Sequence, residues 1–280
     1  NNKEGLFRWV AVLTGSKNAV KGLGFLVGCA LLATFGFFAS LIFMALVIMI
    51  ILICTLVLLK DNLLIKNKNT KFFDIFSKSK NINFLSAARV FLFGARDVWF
   101  VVSLPIFFYS IFSDGTVESN QKAFYIIGGF MSTWIILYGI IQANTPKLFL
   151  RKNNEKINLV EIGKRWNIFL FLNLLFLTFF ILIFNKLILV KMVLFLGLFI
   201  YCGIFAINSS IHSYLILRFS NKNRVSLDVG FYYMANATGR LIGTFLSGLT
   251  YQLGGLALSL TTASFMIGVC LCFTHLLKES

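Results

Sequence analysis

Chemistry-bearing residues are scarce in this sequence. Only two histidines occur, His212 and His275, and nothing resembling HExxH or a clustered ligand set surrounds them, so no metal site is expected. No GxxxxGK[ST] phosphate loop is present, and the chain therefore offers no sign of ATP hydrolysis. The five cysteines, Cys29, Cys54, Cys202, Cys270 and Cys272, all fall inside apolar runs, where small thiols are ordinary packing residues, and they suggest no disulfide framework. Cys270 and Cys272, two apart on a helix, point in different directions and are poorly placed to chelate. Proline occurs twice and charged residues make up 13% of the chain. No cofactor is implied. An enzyme holding a phosphorylated lipid head with arginines would need a general base or metal beside them, and Asp97 alone is at hand, so the expectation is that the chain is not an enzyme.

Apolar residues are what the sequence has. They form 58% of it, with a mean hydropathy of +0.85, far from the mix of a soluble domain. Runs such as Phe37 to Leu59 and Trp166 to Phe184 contain no charged side chain, and roughly 20 apolar residues suffice to cross the hydrocarbon core. The 33 phenylalanines accompany many Ile, Asn and Lys, a bias that codon supply explains without any aromatic function. The apolar runs predict an all-α, polytopic membrane protein with about eight transmembrane helices: 16–34, 37–59, 87–113, 122–144, 166–184, 187–217, 227–251 and 253–277. Gly36 and the pair Gly254 and Gly255 mark tight turns between runs that would otherwise merge.

Lys and Arg orient these spans, because cytoplasmic loops carry the positive excess. Basic residues crowd the connections after the second, fourth, sixth and eighth spans, from Lys60 to Lys80, Lys147 to Arg165, Arg218 to Arg224, and at Lys278. The alternate connections hold little beyond Lys122 and Lys186 at their edges. Both ends of the chain are accordingly placed in the cytoplasm. The net charge of +16 reads as topology and contact with anionic lipid headgroups rather than nucleic-acid binding. Three regions follow: two spans over 1–59, a central basic cytoplasmic loop over 60–86 whose Phe72 to Phe76 run suits the membrane surface, and a six-helix bundle over 87–280. A transporter of two six-helix halves has a central loop of this kind, which anticipates four further spans ahead of Asn1.

Charged groups at membrane depth are costly and face a cavity or a partner. Arg96 lies about 13 Å beyond Ala87 at about 1.5 Å per helical residue, near mid-depth. Arg89, Arg96 and Ser103 share one helical stripe, with Asp97 on the neighbouring face. Tyr233, Asn236, Arg240, Thr244 and Ser247 form a second stripe, beside a Gly239/Gly243 GxxxG spacing suited to close helix packing; Gly24 and Gly28 read the same way. Trp134, Tyr138, Gln142 and Thr145 make a third stripe, and Lys17 and Lys21 sit one turn apart. Arg96, Arg240, Lys17 and Lys21, with Tyr233, Asn236, Tyr138 and Gln142 beside them, are the candidate substrate-binding residues for an anion, since the guanidinium stays charged and forks onto carboxylate or phosphate. The structural alternatives are ion pairing of Arg96 and Arg240 with Asp97 or Asp228, headgroup snorkelling of the lysines, and helix–helix hydrogen bonding of Tyr138 and Gln142. Asp97 is either a protonatable coupling group or a fixed partner of Arg96.

Longer strings go further. WVAVLTGSKNAVKGLGF (Trp9 to Phe25), LSAARVFLFGARDVWFVVSLPIFFY (Leu85 to Tyr109) and GFYYMANATGRLIGTFLSGLTYQLGG (Gly230 to Gly255) resemble the bacterial ArsJ-type organoarsenical efflux permeases of the major facilitator superfamily. The resemblance implies the superfamily fold, with these spans equivalent to helices 5–12 of 12, in the bacterial inner (plasma) membrane. It implies arsenic resistance by efflux of an arsenylated phosphoglycerate, made in the cytosol by a glyceraldehyde-3-phosphate dehydrogenase partner. The alternatives are an exporter of another organic phosphate or drug-like anion, or a non-transporting membrane subunit. The first span lacks the proline of the superfamily's antiporter motif, and the loop between spans four and five lacks its glycine- and Asp-containing signature.

Overall fold

A computed structural model describes residues 2–58, 79–150, 158–184, 187–221 and 224–278. Helices account for nearly all of them: α1 (Asn2–Leu58), α2 (Lys80–Val98), a π-helical turn (Trp99–Ser103), α3 (Leu104–Phe112), α4 (Val117–Leu150), α5 (Leu159–Ile183), α6 (Leu187–Phe219) and α7 (Val225–His275). No strand occurs among the described residues. Six helices, counting α2 through α3 as one, are long and apolar enough to cross a membrane. The chain is thus a helical protein suited to membrane insertion. The central basic connection up to residue 78, with its Phe72 to Phe76 run, lies outside the described residues, as do residues 151–157, Lys186 and Lys222.

Two of the six long helices are broken at the glycines expected to turn. Gly36 has φ 74° and Gly255 φ 62°, a left-handed conformation that a Cβ disfavours. A continuous helix would hold residues 250 and 259 about 13 Å apart; the Thr250 and Ser259 hydroxyls lie 2.9 Å apart, so α7 doubles back at Gly254 and Gly255. Val20 and Ile48 likewise border one groove, so α1 folds back at Gly36.

Several helices extend beyond the apolar runs because polar residues cap or continue them. α2 starts at Lys80, seven residues ahead of the predicted start at Ala87. At α5 the Asn158 side chain accepts the Glu161 N–H at 2.9 Å, starting the helix ahead of Trp166. Before α4, Asp114 Oδ1 accepts the Thr116 N–H at 2.9 Å and the Ser119 hydroxyl. The Ser119 and Thr116 hydrogen bonds hold this exposed carboxyl well below its usual range, at about 2.

Close helix pairs use missing side chains. A Cβ added at Gly239 would lie 2.2 Å from the Val90 carbonyl oxygen, and one at Gly243 would lie 2.4 Å from that of Gly94. These glycines seat α7 against α2. Gly15 and Gly139 do the same for α1 and α4, each Cβ position lying 2.5 Å from the other's carbonyl oxygen. By contrast, among the described residues nothing lies within 4 Å of a Cβ added at Gly24 or Gly28. They face an open groove, which corrects their expected packing role.

The phenylalanines also pack in a defined way. Phe108 stacks on Phe195 at 5.0 Å, and Phe130 meets both edge-on. Such pairs contribute roughly 0.5–1.5 kcal/mol beyond their burial. The arm of α1 after Gly36 is different: from Phe37 to Leu58 almost every side chain is exposed and apolar. A surface this size fits lipid or another protein rather than water.

Candidate functional site

Because α2 and α7 approach so closely, their polar stripes meet. Asp97 of α2 is fully buried, and its two carboxylate oxygens divide between two arginines. Oδ1 accepts from Arg96 Nε at 2.6 Å and Nη2 at 2.5 Å, while Oδ2 accepts from Arg240 Nε at 2.9 Å. Asp97 therefore lies with Arg96 on the site rather than on a separate face. Asp228, the alternative partner, is buried and pairs with neither arginine.

These three groups border a cavity of about 200 Å³ between α1, α2, α4 and α7. Lys17, Lys21, Tyr138, Tyr233 and Asn236 also line it, as do Arg89 and Asn18. Its formal charge is lopsided: Lys17, Lys21, Arg89, Arg96 and Arg240 are five cations against the one carboxylate of Asp97, an excess of four. Neither lysine forms a salt bridge among the described residues. Arg240 keeps 46% of its side chain exposed while Arg96 keeps 8%, so one guanidinium faces the opening and the other the interior.

The remaining donors are held by a buried polar network. Arg89 Nε donates to Asn236 Oδ1 at 3.2 Å, and its Nη1 donates to the Ser209 hydroxyl and carbonyl at 3.1 and 3.2 Å. Tyr138 meets the same Ser209 hydroxyl at 3.0 Å. Gln142 accepts from Asn18 Nδ2 at 2.8 Å and reaches Ser209 at 3.5 Å. It is fully buried behind the cavity wall rather than on it. Aromatic faces supply further support. Phe93 lies 3.8 Å from Arg89 Cζ and 4.9 Å from Arg96 Cζ, with Phe205 beyond Arg96 at 5.5 Å. Cation–π contact of this kind contributes on the order of 2 kcal/mol when desolvated.

Seven of the eight residues expected to bind substrate thus line one cavity, with Asp97 in its wall. Arg89, on the stripe of Arg96, was legible as a polar position but not as part of the site. Asn18 and Ser209 lie in locally polar stretches, Ser16 to Lys21 and Asn208 to Ser213, where nothing in the spacing singled them out. Ser103 leaves its stripe for a reason in the backbone, and Ser247 meets it there. The π turn frees the N–H groups of Val102 and Ser103, and the Ser247 hydroxyl accepts both, at 3.2 and 3.1 Å. Ser103 in turn hydrogen-bonds Ser259 at 2.8 Å. Pro105, just after the turn, has no N–H to give the preceding carbonyls. The turn therefore rotates Ser103 away from the Arg96 side, and π turns of this kind often adjoin functional sites. Thr244 is exposed, Thr145 bonds its own helix at Ile141, and Trp134 donates to the Leu198 carbonyl at 2.9 Å.

No protein-family model, curated protein or solved structure matches the chain.

Proposed function

We propose that the chain is part of a secondary membrane transporter that exports a small organic anion by alternating access. One observation carries this reading: five cationic side chains share with a single carboxylate the lining of one cavity between long apolar helices. Charge left unbalanced in such a setting is expensive unless a ligand completes it. Asp97 acts as an internal anion that holds Arg96 and Arg240 in position while the site is empty. An arriving phosphate or carboxylate finds the lysines and the spare guanidinium N–H groups around it, since each guanidinium has five donors. Preferential binding of the anion in one state then shifts the balance between inward- and outward-facing forms.

Taking the doubled-back helices as hairpins gives eight crossings with both ends in the cytoplasm, as the basic connections require. These fit helices 5–12 of the major facilitator fold. The resemblance to ArsJ-type permeases favours an arsenylated phosphoglycerate as cargo, a glyceraldehyde-3-phosphate dehydrogenase as functional partner, and the bacterial inner membrane as location. No catalytic step is needed.

In arsenic-sensitive bacteria expressing the protein with the dehydrogenase, arsenate tolerance should rise and cell arsenic should fall. Arg96→Ala and Arg240→Ala should each abolish both effects at matched membrane levels. Absence of tolerance despite good expression would remove the arsenical cargo.

A further inference from the structure

The cationic cavity adjoins apolar space. Lys21, Arg240 and Phe25 also border an adjoining groove of about 540 Å³, which extends past Gly24 and Gly28 to Cys29 and Leu32. Both glycines leave open space there, with nothing within 4 Å of an added Cβ. Phe25, Cys29 and Leu32 then border a further groove of about 560 Å³, where Ile106, Ile127 and Met131 complete the apolar surface. Phe25 and Val101 line both this groove and the cationic cavity, so the two spaces adjoin across these side chains. Among the described residues no charged side chain lines the apolar groove, and the one hydroxyl there, on Tyr109, already donates to Asn120 at 2.8 Å.

We infer that the site takes an amphiphilic anion, a single phosphate or carboxylate head held by the arginines with an apolar tail laid along the groove. A small polyanion would use the cavity and leave the groove empty, whereas small-molecule sites commonly combine a large apolar wall with a few placed polar groups. The head satisfies the formal excess of four positive charges in part, and the tail leaves water for a surface that offers it no competing hydrogen bond. The inference rests on the anion-carrier reading and widens its cargo from small polyanions to tailed ones.

Ethyl phosphate and octyl phosphate separate the two ideas. Binding is measured by calorimetry on the protein in nanodiscs of phosphatidylcholine, with protein-free discs as the blank. Ethyl phosphate should bind wild type and lose affinity in Arg96→Ala and Arg240→Ala. Octyl phosphate should bind at least about tenfold more tightly, since each methylene removed from water contributes up to about fourfold. Ile106→Trp and Leu32→Trp, which fill the groove from different helices, should abolish the octyl advantage and leave ethyl phosphate binding unchanged. Ethyl phosphate binding with no octyl advantage would overturn the inference alone. An octyl advantage that survives both tryptophan variants reflects partition into lipid and would also overturn it. If neither ester binds, the inference and the anion-carrier reading fall together.

Discussion

Asp97 is the residue on which the site turns, because its carboxylate is almost fully buried and spends one oxygen on each of two arginines. Removing one member of a buried ion pair costs about 3–5 kcal/mol, since the partners keep their charge and lose its compensation. Asp97→Asn should therefore lower the thermal midpoint of the purified protein markedly. Added phosphate should restore more stability to that variant than to wild type, by occupying the place of the lost carboxylate. Equal phosphate effects on the two proteins would mean that the arginines do not present an anion site. Arg96, Asp97 and Arg240 were legible in the sequence because charge is conspicuous within apolar runs. Their three-way pairing was not, because it depends on how close α2 and α7 come.

That closeness is a property of the elements. Gly239 and Gly243 let the α7 backbone approach the carbonyls of Val90 and Gly94, and the approach brings Arg240 within reach of Asp97. Gly239→Val should cost about 1–3 kcal/mol by overpacking and weaken anion binding with it, whereas Gly28→Val meets open space and should leave stability almost unchanged. Thermal unfolding in detergent, read beside phosphate binding, checks both. The contrast also shows where a sequence motif runs out. Gly24/Gly28 and Gly239/Gly243 have the same spacing, yet among the described residues the second pair alone meets another helix. Gly15 and Gly139, which do pack α1 on α4, belong to no such pair. Turns were easier to anticipate, because Gly36 and Gly254–Gly255 interrupt runs otherwise too long for one crossing. The π turn after Val98 left little trace beyond Pro105, because its stability comes from Ser247 on a distant helix.

At the scale of the whole molecule, long apolar helices leave much of their surface unburied and gather five cations and one carboxylate at one internal cavity. The membrane character was plain from composition, since such an apolar surface has no use in water. The site's outline was readable from three polar stripes, but its completion by Asn18, Arg89 and Ser209 required the packing of α1, α4 and α6 around α2. The central claim is that this cavity carries an organic anion across the membrane, and counterflow tests it most directly. Proteoliposomes preloaded with unlabelled 3-phosphoglycerate, a stable relative of the proposed cargo, are offered the radiolabelled compound outside. The account predicts saturable uptake above that of empty liposomes, lost in Arg96→Ala and Arg240→Ala. Folded wild-type protein that gives no more uptake than empty liposomes, or uptake indifferent to both arginines, would contradict it.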